Sequence, residues 1–385
     1  MLAANLTPSP ALKLRIYLII FALGIGQLTA QPAGALIDSR GRQFIGLDSL
    51  SGFVRTLGSH SGEWVFTSAD IHARINFNEL IVSWNAEMPP GSSLVIEARA
   101  LYPQTTTKYY TLGVWSVDPA RHRRHSVSNQ TDKDGDVSTD TLILRLPTDR
   151  LQIRLTFAGD KLPHPPLKFL GISLADTSAP CPRLPPNLEA WGKVLPVPER
   201  TQMIYPNGKT LCSPTTVSML MAFWAEALKR PGLDHSVPEI ADAIYDSEWQ
   251  GTGNWPFNMA YAGSFESMRA YVARFSDVSE LEDWIAQGIP VGMSVDYDRL
   301  RAKGPGPNGH LVACVGFTKD GDPIINDPGT SQHVRKTFPR KNLIDAWAVS
   351  RNTVYLVYPQ EYSTPVDRFG HWDSTTTRQT GAPSK

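Results

Sequence analysis

The sequence predicts an α+β protein of two domains, an all-β sandwich followed by a domain that runs helices first and sheet after. Three observations carry this. Period-two apolar runs fill residues 77–170, six prolines cluster between residues 176 and 199, and helical 3-4-7 spacing begins beyond that cluster. Length agrees, since 385 residues with 41% hydrophobic content suit two ordinary cores. With 37 Lys+Arg against 37 Asp+Glu the formal net charge is zero, which disfavours a nucleic acid or an anionic membrane attracted by bulk charge. Three cysteines in none of the paired spacings that hold zinc argue against a disulfide scaffold and a zinc finger, and no cofactor or metal is expected.

At the N-terminus Lys13 and Arg15 precede an apolar run over residues 16–25, followed by Thr29-Ala30 and Ala33-Gly34-Ala35. This is the arrangement of a secretory signal peptide, residues 1–30. A membrane anchor competes, yet fewer than ~17 apolar residues would have to cross a core that needs about 20. The mature chain is therefore expected to be secreted or periplasmic with no further membrane span, where a free thiol meets oxidants.

Residues 40–175 form the expected all-β domain. Leu94, Ile96 and Ala98 alternate as one half-buried strand, as do Tyr110, Leu112 and Val114; Leu142, Leu144 and Leu146; and Ile153, Leu155 and Phe157. Turn stretches at 88–91 and 132–136 separate them without a helical period, the pattern of an antiparallel sandwich. Residues 176–199 are a stiff, extended Pro-rich linker. In residues 200–360, Val217, Leu220, Met221, Trp224 and Leu228 mark a helix buried along one face. Ser236 with Glu239 and Ser279 with Glu282 are capping-box pairs for two more helices, the second stopped by Gly288. Residues 289–295, 311–317 and 323–326 are short strands, the last two a hairpin across Asp320-Gly321. The polar tail 361–385 is expected to be disordered.

Cys212 directly precedes Ser213-Pro214 and the first helix, where unpaired N–H groups and the positive end of the helix dipole favour an anion. Both lower a thiol pKa, and the thiolate is the nucleophilic form. Alone, the residue is equally explained as a small buried hydrophobe. His310 follows the Gly/Pro-rich loop 304–309 and opens a strand, a junction expected to expose its ring. The partner strand ends in Asn326-Asp327-Pro328-Gly329, returning an amide or a carboxylate toward His310. Nucleophile, base and orienting group then stand in the order of a catalytic triad.

The strings Gln202-Met203-Ile204-Tyr205-Pro206, Leu211-Cys212-Ser213-Pro214-Thr215-Thr216-Val217-Ser218-Met219, Gly309-His310-Leu311-Val312 and Ile325-Asn326-Asp327-Pro328 resemble one family. It is the papain-clan cysteine peptidases of the bacteriocin-leader-peptidase-like branch, particularly exported bacterial members with a β-rich N-terminal region. Gly253-Asn254-Trp255-Pro256-Phe257-Asn258 and Gly288-Ile289-Pro290-Val291 fit the same group, and residues 77–85 add support in the first domain. The likeness covers residues 195–358. It implies a papain-like cysteine peptidase domain in which Cys212 attacks a carbonyl, His310 shuttles the proton and Asp327 orients His310. Papain itself uses Asn near this spacing, so Asn326 is the alternative. The family's oxyanion donor is a Gln upstream of the nucleophile; Gln202 is the candidate, at a longer interval than the family's simplest pattern, with the Cys212 backbone N–H as second donor. The implied activity is hydrolysis of peptide or amide bonds in a peptide or protein substrate through an acyl-thioester. A catalytically silent peptide- or cell-wall-binding protein is the alternative.

Asn254 and Trp255, in a Gly-rich loop, are the candidates for a substrate groove wall. Asp132, Asp134, Asp136 and Asp140 favour a solvated hairpin turn over a calcium loop, whose glycine would stand elsewhere. Arg121, Arg123 and Arg124 with His122 and His125 are a solvated loop or, in the sharper reading, a contact for an anionic glycan, and the β-domain as a whole is the candidate holder of a cell-envelope polymer. Cys181 and Cys314 can pair, which would leave Cys212 the single free thiol.

Overall fold

The computed structural model describes residues 41–159, 167–181 and 183–374. The expected signal peptide and the tail beyond residue 374 lie outside the described residues. The first part is strand throughout: β1 (Arg42–Leu47), β2 (Phe53–Leu57), β3 (Glu63–Ser68), β4 (Ile71–Ala86) and β5 (Ser93–Tyr102). There follow β6 (Thr105–Thr106), β7 (Tyr110–Trp115), β8 (Gly135–Ser138), β9 (Thr141–Ala158) and β10 (Leu167–Ala175). All pair antiparallel in one network, in the order β1-β10-β4-β9-β3-β2, with β5 and β8 also on β9, and β6 and β7 on β5. The 18-residue β9 makes this possible by changing partners along its length: it pairs with β4 over its first part and with β3 and β5 over its second. The layers expected as a sandwich are thus hydrogen-bonded into one sheet.

Leu94, Ile96, Ala98, Ile153, Leu155 and Phe157 are fully buried, as their period requires. Two positions depart from it. Leu146 is 68% exposed, and Val114 is only half-buried because a bulge at Leu112, between the pairs Ile96–Gly113 and Glu97–Thr111, resets β7 and turns Trp115 inward.

The second part carries β11 (Met268–Arg274), β12 (Val291–Asp296), β13 (Gly309–Phe317), β14 (Pro323–Asn326), β15 (Arg335–Thr337) and β16 (Thr353–Pro359). They form an antiparallel sheet in the order β11-β16-β12-β13-β14-β15. Its helices are α1 (Cys212–Ala227), α2 (Val237–Ile244), α3 (Trp255–Ser264), α4 (Val278–Ala286), α5 (Tyr297–Leu300) and α6 (Arg340–Trp347). The expectation of one buried face on α1 is corrected: every residue from Ser213 to Ala225 is buried, since α1 packs on β12, β13 and β16 on one side and α2 and α3 on the other. Gly292 lets it approach β12, where a Cβ would meet Thr216 Cγ2 at 3.3 Å and Leu220 Cδ1 at 3.4 Å. The Ser236–Glu239 capping box forms on α2. On α4 the cap is Asp277, which accepts from Ser279 N and Ser279 Oγ, and Glu282 instead accepts from Asn187 N, the Trp191 indole and Arg340.

The linker is not a free spacer. Leu195 N donates to Val315 O at 2.7 Å and Gly192 N to Phe317 O at 3.0 Å, while Ala190 and Val197 are buried, so the segment lies against β13. Nor is all of the tail loose: β17 (Trp372–Ser374) pairs parallel with β1, and Trp372 packs on Phe44 with ring centroids 5.0 Å apart.

Strand β11 is an edge, and side chains from β4 complete it. Asn85 Nδ2 donates to Ala270 O at 2.7 Å, its Oδ1 accepts from Ala270 N at 3.1 Å, and Ser83 Oγ accepts from Val272 N at 3.2 Å. Further along, Glu79 pairs with Arg274 at 2.6 Å and Arg351 at 3.0 Å. The two parts therefore share a polar seam flanked by the packed rings of Trp84, Trp115 and Phe257. Among the described residues no helix is long and apolar enough to cross a membrane.

Candidate active site

Cys212 is the first residue of α1, half-buried. The helix start is fixed locally: Thr215 donates to Leu211 O through both N at 3.0 Å and Oγ1 at 2.7 Å, Pro214 occupies the first turn, and Ser213 Oγ bonds Tyr355 Oη of β16 at 2.9 Å. His310 is the second residue of β13, opposite Val295 of β12. Asp327 lies one step past β14, where the register Ala313–Asn326 brings the carboxylate back along β13.

His310 Nε2 meets Asp327 Oδ1 at 2.9 Å. Facing an ionised carboxylate, Nε2 carries the proton, which leaves Nδ1 as the ring nitrogen free to address Cys212, the thiol whose ionisation His310 favours. The expected exposure of the ring is corrected. His310 is 4% exposed and Asp327 is fully buried, because Tyr297 covers the imidazole with ring centroids 4.0 Å apart.

Burial alone would raise the Cys212 pKa, but hydrogen bonding and charge from His310, with backbone hydrogen bonds from Leu311 and Ser213, bring it below the ordinary thiol value. Burial alone would lower the His310 pKa; Asp327 and Cys212 instead raise it from 6.5 to about 9. Asp327 is held below the usual carboxylate value against its burial by His310, Gly329 N–H and the Tyr297 hydroxyl. These shifts favour a thiolate beside an imidazolium.

Gln202 begins a single 3-10 turn, Gln202–Ile204, capped by Thr201. Its backbone N donates to Pro328 O at 3.0 Å and Thr201 Oγ1 to Thr330 O at 2.5 Å, so the turn that carries Asp327 also anchors Gln202. The Gln202 side chain is buried with Oε1 unpartnered.

Asn326 is not on His310. It donates to Val197 O and Pro198 O at 3.3 Å each and accepts from Arg335 Nε at 2.9 Å, tying the linker to β15. Asn254 is fully buried as the cap of α3, accepting from Phe257 N at 3.2 Å and donating to Asp246 at 2.9 Å; with both ends engaged it is not a groove wall. Trp255 opens the same helix, its backbone N–H donating to Asp140 Oδ2 at 2.8 Å. Burial raises the Asp140 pKa to about 6. Asp132 organises its turn, accepting from Asp134 N and Gly135 N. In the basic cluster Arg124 is buried, donating to Ser116 O, Asp242 O and Tyr245 O, which leaves it no part in an anionic glycan contact. Cys181 and Cys314 are free thiols, Cys314 buried in β13.

Tyr297 was not among the residues singled out from the sequence. Its only local signal is an aromatic following Asp296 at a strand end, and its place depends on the pairing of β12 with β13.

Among curated proteins none matches the chain. Among solved structures, the VPA0106 protein from Vibrio parahaemolyticus is 10% identical over 82% of this chain and 90% of that one, with a TM-score of 0.16, a likeness too small to carry an argument. The family models are specific. Residues 51–173 match the Peptidase C39 N-terminal domain and residues 194–355 match the Peptidase C39 like family. The first match spans β2 to β10 and the second contains Cys212, His310 and Asp327, so the chain belongs to the C39-like cysteine peptidase family.

Proposed function

We propose that the protein hydrolyses peptide or amide bonds with Cys212 as nucleophile, His310 as proton shuttle and Asp327 as orienting group. The observation that supports this is the buried His310–Asp327 hydrogen bond at 2.9 Å beside Cys212, whose thiol at the start of a buried helix is made more acidic by His310. The Cys212 thiolate would add to the carbonyl carbon, and the resulting oxyanion would accept from the Cys212 backbone N–H and the Gln202 side-chain amide. The His310 imidazolium then gives its proton to the leaving amine as the C–N bond breaks, leaving an acyl-thioester. Water adds to the thioester while His310 takes its proton, and the C–S bond breaks to release the acid and restore the ion pair. Asp327 keeps the imidazole's Nε2–H turned away so that Nδ1 faces sulfur in both directions of transfer. The reading includes export, supported by Lys13 and Arg15 ahead of the apolar run.

A peptide library incubated with the wild type and with Cys212→Ala, and read by mass spectrometry, tests this. Cleavage by the wild type alone is the expected result. Equal cleavage by the variant overturns the assignment, and peptide retention without cleavage by either supports the silent binding protein instead.

A further inference from the structure

Tyr297 opens α5 directly after β12, whose Val295 and Asp296 pair with His310 and Gly309 of β13. This places a tyrosine one strand across from the imidazole. Its hydroxyl donates to Asp327 Oδ2 at 3.0 Å, while Oδ1 accepts from His310 Nε2 and Gly329 N, each at 2.9 Å. Its ring lies over the His310 ring at 4.0 Å and an interplanar angle of 36°. On the same tyrosine, the Arg301 guanidinium sits 3.7 Å from the ring centroid, held by Asp298 Oδ1 at 2.6 Å and Tyr297 O at 3.2 Å. Gly329 completes the fit. A Cβ there would stand 2.7 Å from Tyr297 Oη and 3.0 Å from His310 Nε2, so a side chain would drive the Asp327 turn off both.

We infer that Tyr297 is a positioning residue of this site: its hydroxyl fixes the rotation of the Asp327 carboxylate so that Oδ1 addresses His310, and its ring keeps water off the imidazole. The inference rests on the peptidase reading. The titratable groups facing His310 are Cys212 from α1, Asp327 from the turn after β14 and Tyr297 from α5; Arg301 faces Tyr297, and Tyr355 of β16 faces Cys212. Burial and the Asp327 charge raise the phenol's pKa, so it remains a donor across the neutral range.

Tyr297→Phe keeps the ring and removes the donor. A hydrogen bond to the charged form of Asp327 is lost, its protonation moves up, and the acid limb of kcat/KM shifts upward by about one pH unit. The value of kcat falls about tenfold, the effect of one hydrogen bond to a charged group, with KM unchanged. A ring-fluorinated tyrosine at position 297, a stronger donor of nearly the same shape, moves the limb the other way, and keeps the test open should the Phe variant not fold. An acid limb and kcat unchanged in a folded Phe variant overturn the inference while wild-type alkylation still shows an activated Cys212. An ordinary thiol profile in the wild type fails the peptidase reading itself.

Discussion

Asp327 and Asn326 are neighbours in sequence with opposite surroundings. The carboxylate of Asp327 takes hydrogen bonds from His310, Gly329 and Tyr297, and the amide of Asn326 takes Arg335 and holds the linker carbonyls. The sequence left both open because either side chain can orient an imidazole, and only the end of β14 decides which of two successive residues turns toward β13. Cys212 and His310 were legible, one from the helix-start signal and the other from a loop-to-strand junction. Asn254 was misread because its place before Trp255-Pro256 is a helix cap, a local signal that fits without any ligand. Asp327→Ala should lower kcat by about a hundredfold or more, because the imidazole loses its tautomer and its counter-charge, whereas Asn326→Ala should chiefly lower the thermal midpoint. Steady-state kinetics beside thermal unfolding of both variants checks this, and equal kinetic losses would contradict the assignment of Asp327.

Element order was readable where periodicity was long. Strand β5, helix α1 and the β13–β14 hairpin lie where their apolar spacing put them, while the runs 142–146 and 153–157, read as two strands, are one continuous β9. Strand β11 escaped, because all seven of its residues are buried and a short apolar run has no alternation to display. Its completed edge was equally invisible, since it depends on β4, distant in sequence, presenting Ser83 and Asn85 to it. Asn85→Ala would leave both the N–H and the C=O of Ala270 unpaired in a buried seam, at about 1–3 kcal/mol for each group. The expected outcome is a fall in denaturant midpoint with an unchanged slope. A midpoint equal to the wild type's would mean that the seam does not hold β11.

At the scale of the molecule, the border between strand-rich and mixed parts near residue 176 was visible as a change of period. What the proline count concealed is that Leu195 and Gly192 bond to β13 and that Asn326 and Arg335 hold Val197, so the connector belongs to the fold that carries the site. The β-rich part also supplies Asp140 at the start of α3 and the β4 side chains that finish the second sheet. At the site itself one chemical claim stands, that Cys212 and His310 form a coupled pair in which the thiol is made more acidic and the imidazole more basic than either group alone. His310, raised from 6.5 to about 9, is charged below the higher value, and Cys212, lowered from its ordinary value, is charged above its own. The most direct measurement is the pH dependence of Cys212 alkylation by iodoacetamide in the full chain, read by peptide mass spectrometry, for the wild type and His310→Ala. Fast alkylation that persists well below pH 7 in the wild type and collapses in the variant is the predicted result. A slow reaction with the profile of an unperturbed thiol near 8.5, the same in both proteins, would contradict the pair.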